Sequence, residues 1–155
     1  MGGFGADGNI AERKSLPTSI RRPEMALSKN ISASIHAGKL INAEPNLCWR
    51  NAAKLMLRNE FEHASYVEGT FLFRKATLPI EHGWLVLNGE IIDPTLPEWE
   101  IAYFMAHEWC RQEFLPLYFC GSLPFFRRVE FLTRSVQVEM DKARAKAIEN
   151  ALTWK

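Results

Sequence analysis

At 155 residues, the chain is long enough for one domain with a hydrophobic core and too short for two comfortable ones. Lys and Arg number 19 against 18 Asp and Glu, and a net charge of +1 leaves no global electrostatic attraction for nucleic acid. Hydrophobic residues at 47% fit a soluble globular protein, and no window approaches the roughly 18 consecutive apolar residues of a membrane span. Cys48, Cys110 and Cys120 form no disulfide framework, and Met1 to Ala6 lacks the charged start and apolar run of a secretory signal. Reduced thiols and a cytoplasmic location are expected.

In chain order, residues 1–24 mix glycine, proline and charge without a sustained period and read as a flexible arm. Residues 25–155 read as a single domain. A short helix across Leu27 to His36 fits the apolar spacing. Asn42 and Asn46 then lie just upstream of Cys48. Either could donate an amide to an oxyanion, and Asn46 could instead cap the helix that begins at Cys48. That helix is expected to run to about Asn59, apolar on more than one side and placing Cys48 in its first turn. There the unpaired backbone N–H groups and the positive end of the helix dipole favour thiolate over thiol, which makes Cys48 a candidate nucleophile. Asn51, one turn later, could contact the site or cap a neighbouring strand.

A strand rich in β-branched and aromatic residues follows from Ala64 to Phe73. Glu68 stands inside it, either as a solvent-facing edge charge or as a residue bordering a cleft. A loop from Arg74 to Glu81 delivers His82, and Asn88-Gly89 between two apolar runs signals a type I′ hairpin. Counting outward from the turn pairs Leu87 with Glu90, Val86 with Ile91 and Leu85 with Ile92. His82, Trp84, Val86, Ile91, Asp93 and Thr95 then share one face, with His82 and Asp93 as diagonal neighbours roughly 7–8 Å apart along the backbone. An imidazole held by a carboxylate is how a general base is oriented. If the Cys48 helix packs on that face, the three residues form a Cys-His-Asp triad, with Trp84 or Trp49 available to wall it from water.

Downstream, Glu98 to Glu113 shows helical spacing, with His107 at the surface or partly buried and Cys110, like Cys120, expected as a packing thiol. Leu115 to Phe119 and Val129 to Leu132 read as strands, Phe125 and Phe126 as core or as cleft lining, and residues 134–152 as a surface helix.

The ordered elements Cys48 at a helix start, Tyr66-Val67-Glu68-Gly69, His82-Gly83-Trp84 and Asp93-Pro94-Thr95 resemble the core of the transglutaminase-like superfamily, relatives of the papain fold. The resemblance spans roughly residues 46–131 and differs in Gly83, where the family usually has Ala. It implies an α+β domain with the Cys-bearing helix packed on an antiparallel sheet. Cys48, His82 and Asp93 would be the catalytic triad, and Glu68-Gly69 would border the cleft. The expected chemistry is acyl transfer on a protein or peptide substrate through a thioester, as a hydrolase or a transamidase. The competing class is a catalytically silent domain serving as a binding, effector or inhibitor module. The same three side chains could ligate zinc, but no Cys-x-x-Cys pair accompanies them, so neither metal nor cofactor is expected.

Overall fold

The computed structural model describes residues 27–128 and 134–153. The expected arm at 1–24 and the strand expected at 129–132 lie outside them. The fold is α+β: among the described residues, four α-helices, α1 (Ile31–Ile41), α2 (Cys48–Met56), α3 (Arg111–Cys120) and α4 (Arg134–Thr153), accompany one antiparallel sheet of β1 (Ser65–Phe73), β2 (Ile80–Leu87), β3 (Glu90–Ile92) and β4 (Ile101–Cys110). The strand order is β3-β2-β1-β4.

Local chemistry sets the β2–β3 hairpin. Asn88 at φ 53° and Gly89 at φ 80° occupy the two left-handed positions that a type I′ turn needs. The register is the expected one, Leu87 to Glu90, Val86 to Ile91 and Leu85 to Ile92. The ladder stops there. Asp93 and Thr95 lie beyond the pairing.

Three expectations are corrected. The segment expected as a helix from Glu98 to Glu113 is strand β4, because nine of its residues pair along the full length of β1, from Cys110 opposite Ser65 to Ile101 opposite Phe73. Its aromatic and β-branched residues serve a pleated surface as well as a helical one, and pairing decides between them. The segment expected as a strand from Leu115 to Phe119 lies inside α3, whose Glu113 side chain accepts from the Cys110 N–H at 3.0 Å in a capping box, with Pro116 inside the helix. Cys110 and Cys120 are exposed and are not packing thiols. The first helix also starts later than Leu27: Asn30 caps α1 by accepting from the Ala33 N–H at 2.9 Å.

Side chains alternate across the sheet and make two faces. On one, Tyr66, Leu85 and Ile92 join Ala52, Ala53, Leu55 and Met56 of α2, with Phe114 and Phe125, in the main core. On the other, Val67, Trp84, Val86 and Ile91 cluster with Leu27 and Tyr103. The body of α2 therefore covers the face opposite to the one inferred from the hairpin count. A third cluster of Phe126, Val136 and Met140, against Trp49 and Ala106, joins α4 to the start of α2.

Candidate active site

The Asp93 side chain is anchored through both of its oxygens. Fully buried, it takes His82 Nε2 at 2.8 Å and the Tyr103 hydroxyl at 2.6 Å on Oδ2, while Oδ1 accepts the backbone N–H groups of Thr95 at 3.0 Å and Leu96 at 3.1 Å. Its own N–H donates to Ser34 Oγ of α1 at 3.0 Å. Burial works against its charge, but His82, Tyr103 and the Leu96 N–H together hold the carboxyl below its ordinary value.

His82 lies between aromatic rings, stacked at 6.1 Å over Trp84 and edge-on at 4.8 Å to Phe71. Burial pulls its pKa down, yet the charge and hydrogen bond of Asp93, with a smaller contribution from Cys48, win and push it up to about 9. With Nε2 on Asp93, Nδ1 is the ring nitrogen left for the Cys48 sulfur. Cys48 is the first residue of α2, is 9% exposed, and lies near enough to the His82 ring to help raise its pKa. The close approach of α2 to β2 depends on Gly83, where an added β-carbon would stand 2.6 Å from the Trp49 ring. Cys48, His82 and Asp93 are thus brought together.

The other expected site residues divide. Asn46, exposed and in a left-handed conformation at φ 64°, does not cap α2. The N-cap is Leu47, which makes no side-chain capping hydrogen bond. Asn42 ends α1 in the left-handed region, exposed, and lines a groove of about 470 Å³ with Pro45, Pro94 and Thr95. Asn51 is buried and fully engaged. It bonds the Glu44 carbonyl at 2.8 Å, the Glu44 N–H at 3.1 Å and Thr95 Oγ1 at 3.0 Å, tying the loop before Cys48 to the turn after Asp93. Glu68 is no edge charge, since it is completely buried. Trp84 is buried beneath His82, and its Nε1 has no partner among the described residues. Tyr103 was missed because it was assigned to a helix. The continuous apolar run from Ile101 to Ala106, which suits a strand as well as a helix, was the only local hint of its placement.

Among the described residues, no group of three or more His, Cys, Asp or Glu side chains is arranged to hold a metal ion, and no helix is long and apolar enough to cross a membrane. Compared with protein-family models, curated proteins and solved structures, the chain gives no match.

Proposed function

We propose that the protein is a cysteine-dependent acyl-transfer enzyme of transglutaminase-like type, acting on a protein or peptide amide in the cytoplasm. The observation that carries this reading is the buried His82–Asp93 pair, with Cys48 near enough to the same imidazole to help raise its pKa. In that arrangement Asp93 fixes the His82 tautomer, and His82 holds the proton that leaves Cys48. The sulfur attacks the amide carbonyl, and the developing oxyanion faces the unpaired N–H groups at the start of α2. When the tetrahedral intermediate collapses, the C–N bond breaks, His82 gives its proton to the departing amine and a thioester remains. Water then releases an acid, or a second amine forms a new amide.

One observation favours a second reading, a catalytically silent binding module. Cys48 is only 9% exposed, and the groove beside Asn42 and Thr95 is not lined by it. Iodoacetamide labelling, mapped by mass spectrometry across pH in the wild type and in His82→Ala, separates the two. Burial alone predicts that exposed Cys110 and Cys120 react first. Preferential labelling of Cys48 that disappears in His82→Ala supports the enzyme. Labelling of Cys48 slower than the exposed thiols, and indifferent to His82→Ala, rejects it.

A further inference from the structure

Glu68 is a fully buried carboxyl that the triad does not use. It sits mid-strand in β1 with Gly83 of β2 opposite it on one side and His107 of β4 on the other. Taking a carboxylate out of water is costly unless hydrogen bonds replace its hydration. Three donors do so: the Tyr66 hydroxyl at 2.9 Å and the Phe125 N–H at 2.6 Å meet Oε1, and the Phe126 N–H at 2.9 Å meets Oε2. Two of them come from a single 3-10 turn, Phe125–Arg127, more than fifty residues along the chain.

These bonds close a circuit around the start of α2. Phe126, held by Glu68, packs edge-on against Trp49 with ring centroids 5.7 Å apart. Trp49 lies on Gly83, which is Glu68's own partner in the ladder. Trp49 follows Cys48 directly in the first turn of α2. Apolar contacts alone would leave the Phe125–Arg127 turn free to slide along Trp49. The paired N–H bonds fix both its distance and its orientation.

We infer that Glu68 is a positioning residue for Cys48: its carboxylate clamps the Phe125–Phe126 turn, and that turn holds Trp49 and the first turn of α2 in place. The inference rests on the reading of Cys48 as the nucleophile. The ionised form is the clamp, because both oxygens then accept, whereas protonation turns one into a hydroxyl. Burial raises the Glu68 pKa to about 7, against the opposing pull of the Phe126 and Phe125 N–H groups, Tyr66 and the charge of Arg127. The remaining charged groups around it are separable. Arg127 is paired with Glu81, which Arg144 of α4 also holds, and burial lowers the His107 pKa below its ordinary value, so that histidine titrates in a more acid window.

Glu68→Gln tests this at nearly constant volume. Either amide orientation sets a side-chain N–H against a backbone N–H, of Phe125 or of Phe126. Losing a charge-assisted bond predicts a fall of about tenfold or more in Cys48 alkylation at pH 8, with labelling of exposed Cys110 and far-UV circular dichroism unchanged. The wild-type inflection near pH 7 should also vanish while the one near 9, set by His82, remains, a selectivity that general loosening would not produce. Tyr66→Phe leaves both backbone bonds and should change alkylation less than about threefold. Unchanged Cys48 reactivity in Glu68→Gln overturns the inference. If that variant does not fold, amide exchange in the wild type decides: protection of Phe125 and Phe126 relative to β1 must drop as pH falls through about 7, and a flat ratio overturns the clamp. His82→Ala run alongside keeps the two readings apart. No effect there removes the nucleophile, whereas no effect in Glu68→Gln alone removes only the positioning role.

Discussion

Two carboxyls of this protein, Asp93 and Glu68, are equally buried and behave in opposite ways. Asp93 meets a cation-forming imidazole, a tyrosine hydroxyl and two backbone N–H groups, and is held below its ordinary pKa. Glu68 meets a tyrosine hydroxyl and two backbone N–H groups but touches no cation, and its pKa is raised to about 7. Neutral donors of the same kinds serve both sites, so the imidazole makes the difference. Hydrogen bonds alone leave a buried carboxyl near the balance point at neutral pH, and a partner that can take up a proton carries it across.

The largest test of that contrast removes the charge from the paired site. In Asp93→Asn, His82 loses the attraction that outweighs its burial, so its midpoint should fall from about 9 to below that of an exposed histidine. The buried partner is left without compensation, and a destabilisation of about 3–5 kcal/mol is expected. Ring C–H resonances of His82, assigned by their loss in His82→Ala, report the midpoint, and urea unfolding at pH 7 reports the stability. A midpoint that stays near 9 would mean that Asp93 is not what holds the proton on His82.

The second test reads stability against pH. For Glu68 the folded pKa lies above the unfolded one, so the native state binds the extra proton between the ordinary carboxyl value and about 7. Stability from this group is complete at the acid end of that window and declines as pH rises through it, by an amount on the order of 3 kcal/mol. His82, also raised, contributes stability that is present below the ordinary imidazole value and lost as pH rises through about 9. Asp93 has the opposite sign, its contribution being lost as pH falls through its depressed pKa. Urea midpoints should therefore fall in two steps as pH rises, and Glu68→Gln should flatten the lower step only. A wild-type curve without a decline between about pH 5 and 7 would show that the neutral donors suffice to keep Glu68 charged.

The same two sites show how much could be read in advance. The Asp93 side was legible because its geometry is local: Asn88-Gly89 dictates a turn, the turn dictates the register, and Asp93, just past the end of that ladder, reaches His82. The Glu68 side was not. Its donors arrive from Phe125 and Phe126, and no spacing near Glu68 announces them. The misreading of Glu98 to Glu113 has the same origin, since the apolar run that opens Ile101 to Cys110 fits a helix or a strand and becomes a strand because β1 offers it a long edge. That error hid Tyr103. The face of α2 was a separate matter, inferred from the hairpin count, and its body packs on Leu85 and Ile92 rather than on Val86 and Ile91.

Tyr103 supplies the smallest and most discriminating perturbation. Its hydroxyl donates at 2.6 Å to the Asp93 oxygen that also receives His82, so the two donors share one acceptor. Lys29, 5.6 Å above the Tyr103 ring and bonded to the Trp99 carbonyl at 3.1 Å, helps keep that ring in place. Tyr103→Phe removes the oxygen and leaves the ring. Asp93 keeps His82 and its two backbone donors, so the loss should be about 1–1.5 kcal/mol, well below that of Asp93→Asn. The effect on His82 should run the other way from Asp93→Asn. With one less positive dipole on Oδ2, more negative charge faces the imidazole and its midpoint should move up from about 9. A downward shift would mean that Tyr103 acts chiefly by holding Asp93 in position, and that the carboxylate, unlike Glu68, depends on its neutral donor to stay aimed at its partner.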